Sequence, residues 1–298
     1  MLQFREMTPA DKQRADRILK RSPSRGTEGC FATLFIWKNR SNLMIDFYGE
    51  HVFFRGKGED GNPFYLFPYG DGVTRDTIEL VWNDARSLGA PLVFVGLTAE
   101  TRDKLMRLCP NLFEVREERD NFDYLYLAEK MISLSGKKLH AKRNFINRFH
   151  QAYDGRWRFD RYTPDDYWPV RAYLKKWHSQ NEIKADESLE DETCAVLTAL
   201  KYLRELELSC GILRLDGEII AFSIGTPITE DTFDVQIEKA DNEIPGAYPM
   251  INQLFATEFC GGFTYMNREE DMGLEGLRKA KLSYYPEILL EKFTAWEK

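Results

Sequence analysis

Apolar residues recur along this 298-residue chain with two spacings, and each spacing predicts an element. Leu43 to Tyr48, His51 to Arg55 across a Gly49-Glu50 turn, and Pro63 to Phe67 are rich in aromatic and branched residues, as strands are. After a turn at Gly70-Asp71-Gly72, Thr74 to Leu88 places Ile78, Val81, Trp82, Ala85 and Leu88 on one side of a helix, and Gly89 supplies the stop. PLVFVGL, from Pro91 to Leu97, is apolar without a break, as in a strand covered on both faces. A helix from Thr98 to Leu108 and the alternating DYLYL segment then close a first unit.

The same order follows once more. Leu139 to Tyr153 has helical spacing, Trp157 to Tyr162 reads as a strand, and Asp165 to His178 and Leu189 to Glu207 read as helices. GILRL, a turn at Asp216-Gly217, EIIAFSIG and TFDVQIE form a meander. A helix from Tyr248 to Phe259, a strand near Phe263 to Met266, a helix after Leu274 and a last strand around Glu287 to Phe293 complete the unit. Three antiparallel strands feeding a strand-helix-strand-helix-strand tail therefore occur twice, without a residue-level repeat. The expected fold class is α+β, as two tandem domains over residues 1–130 and 131–298, each a mixed, mainly antiparallel sheet flanked by helices.

Composition narrows the class. Hydrophobic residues make up 43% and aromatic residues 13%, which predicts folded cores rather than disorder. A net charge of -7 argues against a protein that coats nucleic acid, so no stable DNA binding is expected, although a local basic groove remains compatible with it. No apolar run reaches the roughly 20 residues that a spanning helix needs, and the charged start MLQFREMTPADKQ has no signal-peptide pattern, so a cytoplasmic location without an integral membrane segment is expected. The five cysteines are widely spaced with no C-x-x-C pair, and the histidines are scattered. Buried thiols are expected, with no metal site, and the residues name no cofactor.

Two segments stand out for their charge. NREEDMGLEGLRKAKLSYYP, Asn267 to Pro286, gathers Glu269, Glu270 and Asp271 before a helix on which Leu274, Leu277, Arg278 and Lys281 share one arc. Cations on an apolar side need partners, either those carboxylates in an ion-pair network or a bound anion. KKLHAKRNFINRF repeats the geometry: Lys138 and Lys142 share the side of Phe145, Ile146, Phe149 and Tyr153. Two explanations stay open, solvated lysines with snorkelling stems and two helices lining one anionic pocket.

The motifs LSGKKLHAKRNFINRF, IEKADNEIPGAYPMINQ and NREEDMGLEGLRKAKLSYYP, together with the element order, resemble the DUF2156 family, grouped with the C-terminal domain of phosphatidylglycerol lysyltransferases. The resemblance implies a tandem GNAT-like acyltransferase fold, with the active cleft in the second domain. It also implies an acyl donor that in the lysyltransferases is an aminoacyl-tRNA, making a charged tRNA and a small anionic substrate or acyl donor the expected partners.

In the GNAT pattern a glycine-rich loop offers backbone amides to the pyrophosphate of acyl-CoA. Here the matching Glu243-Ile244-Pro245-Gly246-Ala247-Tyr248 keeps only the central glycine. Glu243 would repel phosphate and Tyr248 would crowd it, so acetyl-CoA is not the expected donor. A mechanism of this kind needs a base and a proton donor rather than a nucleophilic triad. Asp271 and Glu238 are the candidate bases, with Tyr284, Tyr285 and Tyr248 as candidate acids. Lys138, Lys142, Arg278, Lys281, Asn267, Gly246 and Tyr248 are the candidate substrate-binding residues. The resulting expectation is an aminoacyl transfer onto an amine or hydroxyl acceptor, with a non-catalytic module that binds a small anion as the alternative.

Overall fold

The computed structural model describes residues 1–180 and 187–298. It divides into two compact units, one of residues 1–123, 270–278 and 289–298, the other of residues 124–269 and 279–288.

The first unit is built on a sheet in the order Arg5–Glu6, Met44–Tyr48, His51–Lys57, Pro63–Tyr65, Val93–Leu97, Phe293–Glu297 and Phe113–Glu117, with Tyr69–Gly70 pairing on His51–Lys57. Only Pro63–Tyr65 and Val93–Leu97 run parallel among the described pairings of this sheet. Its core joins Phe53, Tyr65, Phe94, Phe113 and Phe293 of the sheet to Ile78, Val81, Trp82 and Ala85 of the helix Arg75–Ser87. The apolar stripe read from the sequence in that helix is the face that is buried, with Leu88, 52% exposed, left outside.

The second unit has a seven-stranded sheet in the order Ile288–Leu290, Asp123–Leu127, Tyr265–Asn267, Thr232–Ala240, Glu218–Pro227, Ser209–Leu215 and Trp157–Arg161. The helices His140–Tyr153 and Ala247–Phe259 contribute Ile146, Phe149, Met250, Ile251 and Phe255 to one core with Phe233, Val235 and Ala240 of the sheet.

Two strands differ from their sequence reading. DYLYL, expected to close the first half, lies in the second sheet beside Tyr265–Asn267. The last strand, expected to finish the second half, begins later, and Phe293–Glu297 inserts between Val93–Leu97 and Phe113–Glu117 of the first sheet. Alternation predicts a strand but carries no information about its neighbours, which are decided by long-range packing. The strand Phe113–Glu117 and the helices Lys12–Leu19 and Phe31–Ile36 were not anticipated by the spacing argument.

One irregularity reverses which side chains of a central strand face the core. Opposite Ile224 and Gly225 the strand Thr232–Ala240 slips by one residue, so that Ile224 faces Ile237 and Gly225 faces Val235. The extra residue, Gln236, reverses the alternation. Phe233 and Val235 point into the core before it; Glu238 and Ala240 take that face after it. Gly225 is required there, since a Cβ would lie 2.2 Å from the carbonyl oxygen of Asp234. On its other edge the same strand pairs with Tyr265–Asn267, in parallel, only through Thr232, Phe233 and Asp234. Beyond that short ladder Glu238 has no strand partner on that side among the described residues, and Arg268 follows directly on the shorter strand.

Candidate functional site

Glu238, Arg268, Asn252, Lys142, Tyr126 and Tyr284 form one buried polar cluster in the second unit. Arg268 donates from Nη2 to Glu238 Oε1 at 2.8 Å, and Asn252 donates from Nδ2 to Glu238 Oε2 at 3.0 Å. The paired side chains are 13% and 10% exposed for Arg268 and Glu238, so water screens this pair weakly. Burial works against the charge on Arg268, yet Glu238 holds the guanidinium above its ordinary value. Its plane lies over the rings of Tyr284, at 5.1 Å, and Tyr126, at 5.8 Å.

Lys142 comes from the helix His140–Tyr153 and sits with Nζ 4.0 Å from the centre of the Tyr284 ring. Burial, then the charge of Arg268, pulls this ammonium down to about 8, while Glu238 opposes the shift. An amine at that value is partly neutral near physiological pH, unlike an ordinary lysine. Burial pushes the phenols of Tyr284 and Tyr126 well above their usual range, so both stay protonated. Tyr126 spends its hydroxyl on the carbonyl of Lys281, at 2.9 Å. Tyr248, one helical turn before Asn252, is pushed up to about 12 by burial.

Two atoms at the centre are left over. Arg268 Nη1 and Asn252 Oδ1 are buried and have no hydrogen-bond partner among the described residues, one a donor and the other an acceptor, flanking the same carboxylate. Buried polar groups in folded proteins are nearly always paired, so such a couple marks where a bound group would complete the hydrogen bonding.

The other expected residues fall into place differently. Asp271 is fully buried in the first unit, where its Oδ2 accepts from Arg278 Nε at 2.9 Å and Arg119 Nη1 at 3.2 Å, and its Oδ1 accepts from Arg278 Nη2 at 2.7 Å and the amide of Gly273 at 2.9 Å. Arg278 also reaches Asp120 at 2.6 Å. The carboxylate expected as a base and the arginine expected to face an anion are thus joined to each other. Lys281 donates to the main-chain oxygens of Arg268 at 2.6 Å and Glu269 at 3.1 Å, bracing the turn that delivers Arg268. Leu274, expected to share a buried arc with it, is 55% exposed. The helix is short, and its inward side is set by the turn before it rather than by its leucines.

Asn267 is buried and accepts from the amide of Glu269 at 2.7 Å, which shapes the same turn. Gly246 adopts φ 92° at the start of the helix Ala247–Phe259, and a Cβ there would lie 2.9 Å from the carbonyl oxygen of Phe145, so it packs two helices closely. Lys138 precedes its helix and lies 5.1 Å from the ring of the exposed Tyr285; Phe145, expected inside, is 45% exposed. Arg268, Asn252 and Tyr126 are the three members of the cluster that the sequence reading passed over. Arg268 was hidden within the charged run after Asn267, and nothing in the spacing separates it from its neighbours.

Among the described residues no helix is long and apolar enough to cross a membrane. Residues 19–296 match the family model for the C-terminal region of phosphatidylglycerol lysyltransferase. A conserved protein of unknown function from Bacteroides thetaiotaomicron VPI-5482 is 34% identical, covers 100% of both chains and superposes with a TM-score of 0.94. L-PGS from Bacillus licheniformis, at 15% identity, covers 97% of this chain and 92% of its own, with a TM-score of 0.69. The fold is the tandem GNAT-like one, shared with a tandem GNAT protein of the clavulanic acid biosynthesis pathway at a TM-score of 0.53. An uncharacterised protein of Mycoplasmoides gallisepticum is 26% identical over 180 residues, which span 60% of this chain and 56% of that relative, a little over half its length.

Proposed function

The chain belongs to the phosphatidylglycerol lysyltransferase C-terminal family, and from that membership and the Glu238 cluster we propose that it is an acyltransferase that moves an aminoacyl group from an aminoacyl-tRNA to an amine or hydroxyl acceptor. The observation that carries the reading is the donor and acceptor left without a partner among the described residues, Arg268 Nη1 and Asn252 Oδ1, beside a lysine whose ammonium is pulled down to about 8 by burial.

In this reading the ester carbonyl oxygen of the donor accepts from Arg268 Nη1, and an N–H of the aminoacyl group donates to Asn252 Oδ1. The acceptor nitrogen or oxygen attacks the ester carbon, forming the new amide or ester bond as the bond from that carbon to the ribose oxygen breaks. Neutral Lys142 takes the proton from the attacking group and, as the ammonium, gives one to the departing ribose oxygen, leaving the RNA with a free hydroxyl and the lysine neutral again. Charge grows on the carbonyl oxygen during attack, so a fixed guanidinium stabilises the transition state more than the ground state. Glu238 holds Arg268 and Asn252 in position, and Tyr284 fixes Lys142 over its ring. The loop from Glu243 to Tyr248 does not present the acyl-CoA pattern, which favours a donor of another kind.

Transfer of labelled amino acid from charged tRNA to a panel of amine and hydroxyl acceptors tests the proposal. Activity in the unaltered protein and its loss in Lys142→Gln and Arg268→Lys, both checked for folding by circular dichroism, is the expected result. Equal background in all three proteins would sink it.

A further inference from the structure

Between Lys130 and Tyr153 the chain carries Lys130, Lys137, Lys138, Lys142, Arg143 and Arg148 and no aspartate or glutamate, although 48 acidic residues are spread over the whole sequence. The structure sorts these cations. Lys142 turns inward to the Glu238 cluster, and Arg143 braces the preceding loop through the carbonyls of Leu134 and Gly136. Lys137, Lys138 and Arg148 are exposed, and none of them has a carboxylate within its own stretch of chain. The outer side of the helix also bears Phe145, 45% exposed, which lines a shallow recess of about 190 Å³ with Ala141, Asn144 and Arg148. A second exposed aromatic, Tyr285, lies under Lys138.

We propose that this outer face of the helix His140–Tyr153 is the docking surface for a single-stranded RNA end, with cations tracking the phosphates and Phe145 and Tyr285 as platforms for bases. The assignment rests on the aminoacyl-tRNA reading above and locates the donor's approach. Proteins that hold single strands combine a cationic track with aromatic side chains on which bases stack, and the amide of Asn144 adds hydrogen bonding at the recess. One helix connects the two functions, since its inner side delivers Lys142 to the reacting groups. An anionic membrane is the competing partner for a basic face. It fits less well, because binding to a bilayer buries a broad apolar face and here Phe145 shares its recess with the amide of Asn144 and the guanidinium of Arg148.

The test measures binding of the full chain to deacylated tRNA and to a fluorescein-labelled 12-nucleotide RNA ending in CCA, by anisotropy across a salt series. Replacing Lys137 and Arg148 together with alanine is expected to weaken binding at least tenfold and to lower the salt slope by about 1.4, the value for two lost contacts to a single strand. Phe145→Ala alone is expected to weaken it about fivefold or more through lost stacking. A control pair on the first unit, Lys20→Ala with Arg107→Ala, is expected to change nothing. Absence of RNA binding, or equal binding by all variants, would overturn the docking surface. So would loss of binding to phosphatidylglycerol vesicles by the same variants while RNA binding persists.

The two proposals fail separately. RNA binding that depends on this face, in a protein with no transfer activity, would sustain the docking surface and refute the transferase. Transfer from charged tRNA that proceeds unchanged in the Lys137, Arg148 and Phe145 variants would do the reverse.

Discussion

At the scale of single residues, the proposed site depends on a lysine that burial pulls toward neutrality and an arginine whose charge Glu238 sustains against burial. Lys142 binds its proton less tightly folded than unfolded, with a value of about 8 against an ordinary lysine near 10.5. Between those two values the unfolded chain holds more protons, so stability rises with pH across that window and the penalty for charging Lys142 is fully present below about 8. If its neutral form accepts the proton in transfer, the rate should climb roughly tenfold for each pH unit below that value and level off above it. Lys142→Arg should abolish that rise, which a pH–rate profile with and without the substitution checks. Arg268 and Glu238 are buried as an ion pair at 2.8 Å. Glu238→Gln leaves a buried guanidinium without its counter-charge and should destabilise the fold by about 3 kcal/mol or more. The double variant Glu238→Gln with Arg268→Met should recover part of that loss in urea unfolding, because the pair, rather than either member, suits its surroundings.

At the scale of elements, one inserted residue turns Glu238 toward Asn252. Without the bulge at Gln236, the alternation that points Phe233 and Val235 inward would turn Ile237 and Lys239 to that face and Glu238 away from Asn252. The opposite face instead receives Lys239, which lies over Trp177 and pairs with Glu192 at 2.5 Å. Gly225 permits this slip. Gly225→Ala should destabilise the protein by about 2 to 4 kcal/mol, since the clash is with backbone and cannot be relieved by a side-chain rotation. Thermal unfolding measures the loss, and transfer by the folded fraction should fall as well if the slip is lost. TFDVQIE reads correctly as a strand from its composition, but an alternating pattern is equally consistent with either register. The helices were more legible, because a stripe repeating every 3.6 residues names its own buried face, as Ile78, Val81, Trp82 and Ala85 do. In the helix Glu275–Leu282 the same arc is the inward one, with Lys281 buried and Leu277 and Arg278 half-buried, but Leu274 just before the helix is exposed and the buried side is held by Lys281 bonding main-chain oxygens.

At the scale of the whole molecule, the end of the chain completes the first sheet. Phe293–Glu297 is flanked on both edges, and Glu297 accepts from the indole of Trp82 and the amide of Leu92, both at 2.8 Å. Just before it, Lys292 is 1% exposed between Glu28 and the buried Asp123. The two carboxylates hold this ammonium above its ordinary value against burial, and Glu28 is itself raised by burial. Lys292→Met should therefore cost about 3 to 5 kcal/mol by leaving buried carboxylates unpaired. Ending the chain after Glu291 should remove hydrogen-exchange protection from Val93–Leu97 and Phe113–Glu117 together, where a dispensable terminal strand would leave them protected.

The amino-acid sequence by itself determined which stretches become strands and helices, because local spacing of apolar residues is what a strand or helix face requires. It also carried the family, through long motifs whose residues are contiguous. The tertiary structure alone decided the sheet to which DYLYL and Phe293–Glu297 belong, the register slip that turns Glu238, and the pairing of Arg278 with Asp271 while Arg268 Nη1 and Asn252 Oδ1 are left without a partner among the described residues. Each of these depends on contacts between residues far apart in the chain, and a charge in a sequence does not reveal whether its partner is a neighbour or a ligand.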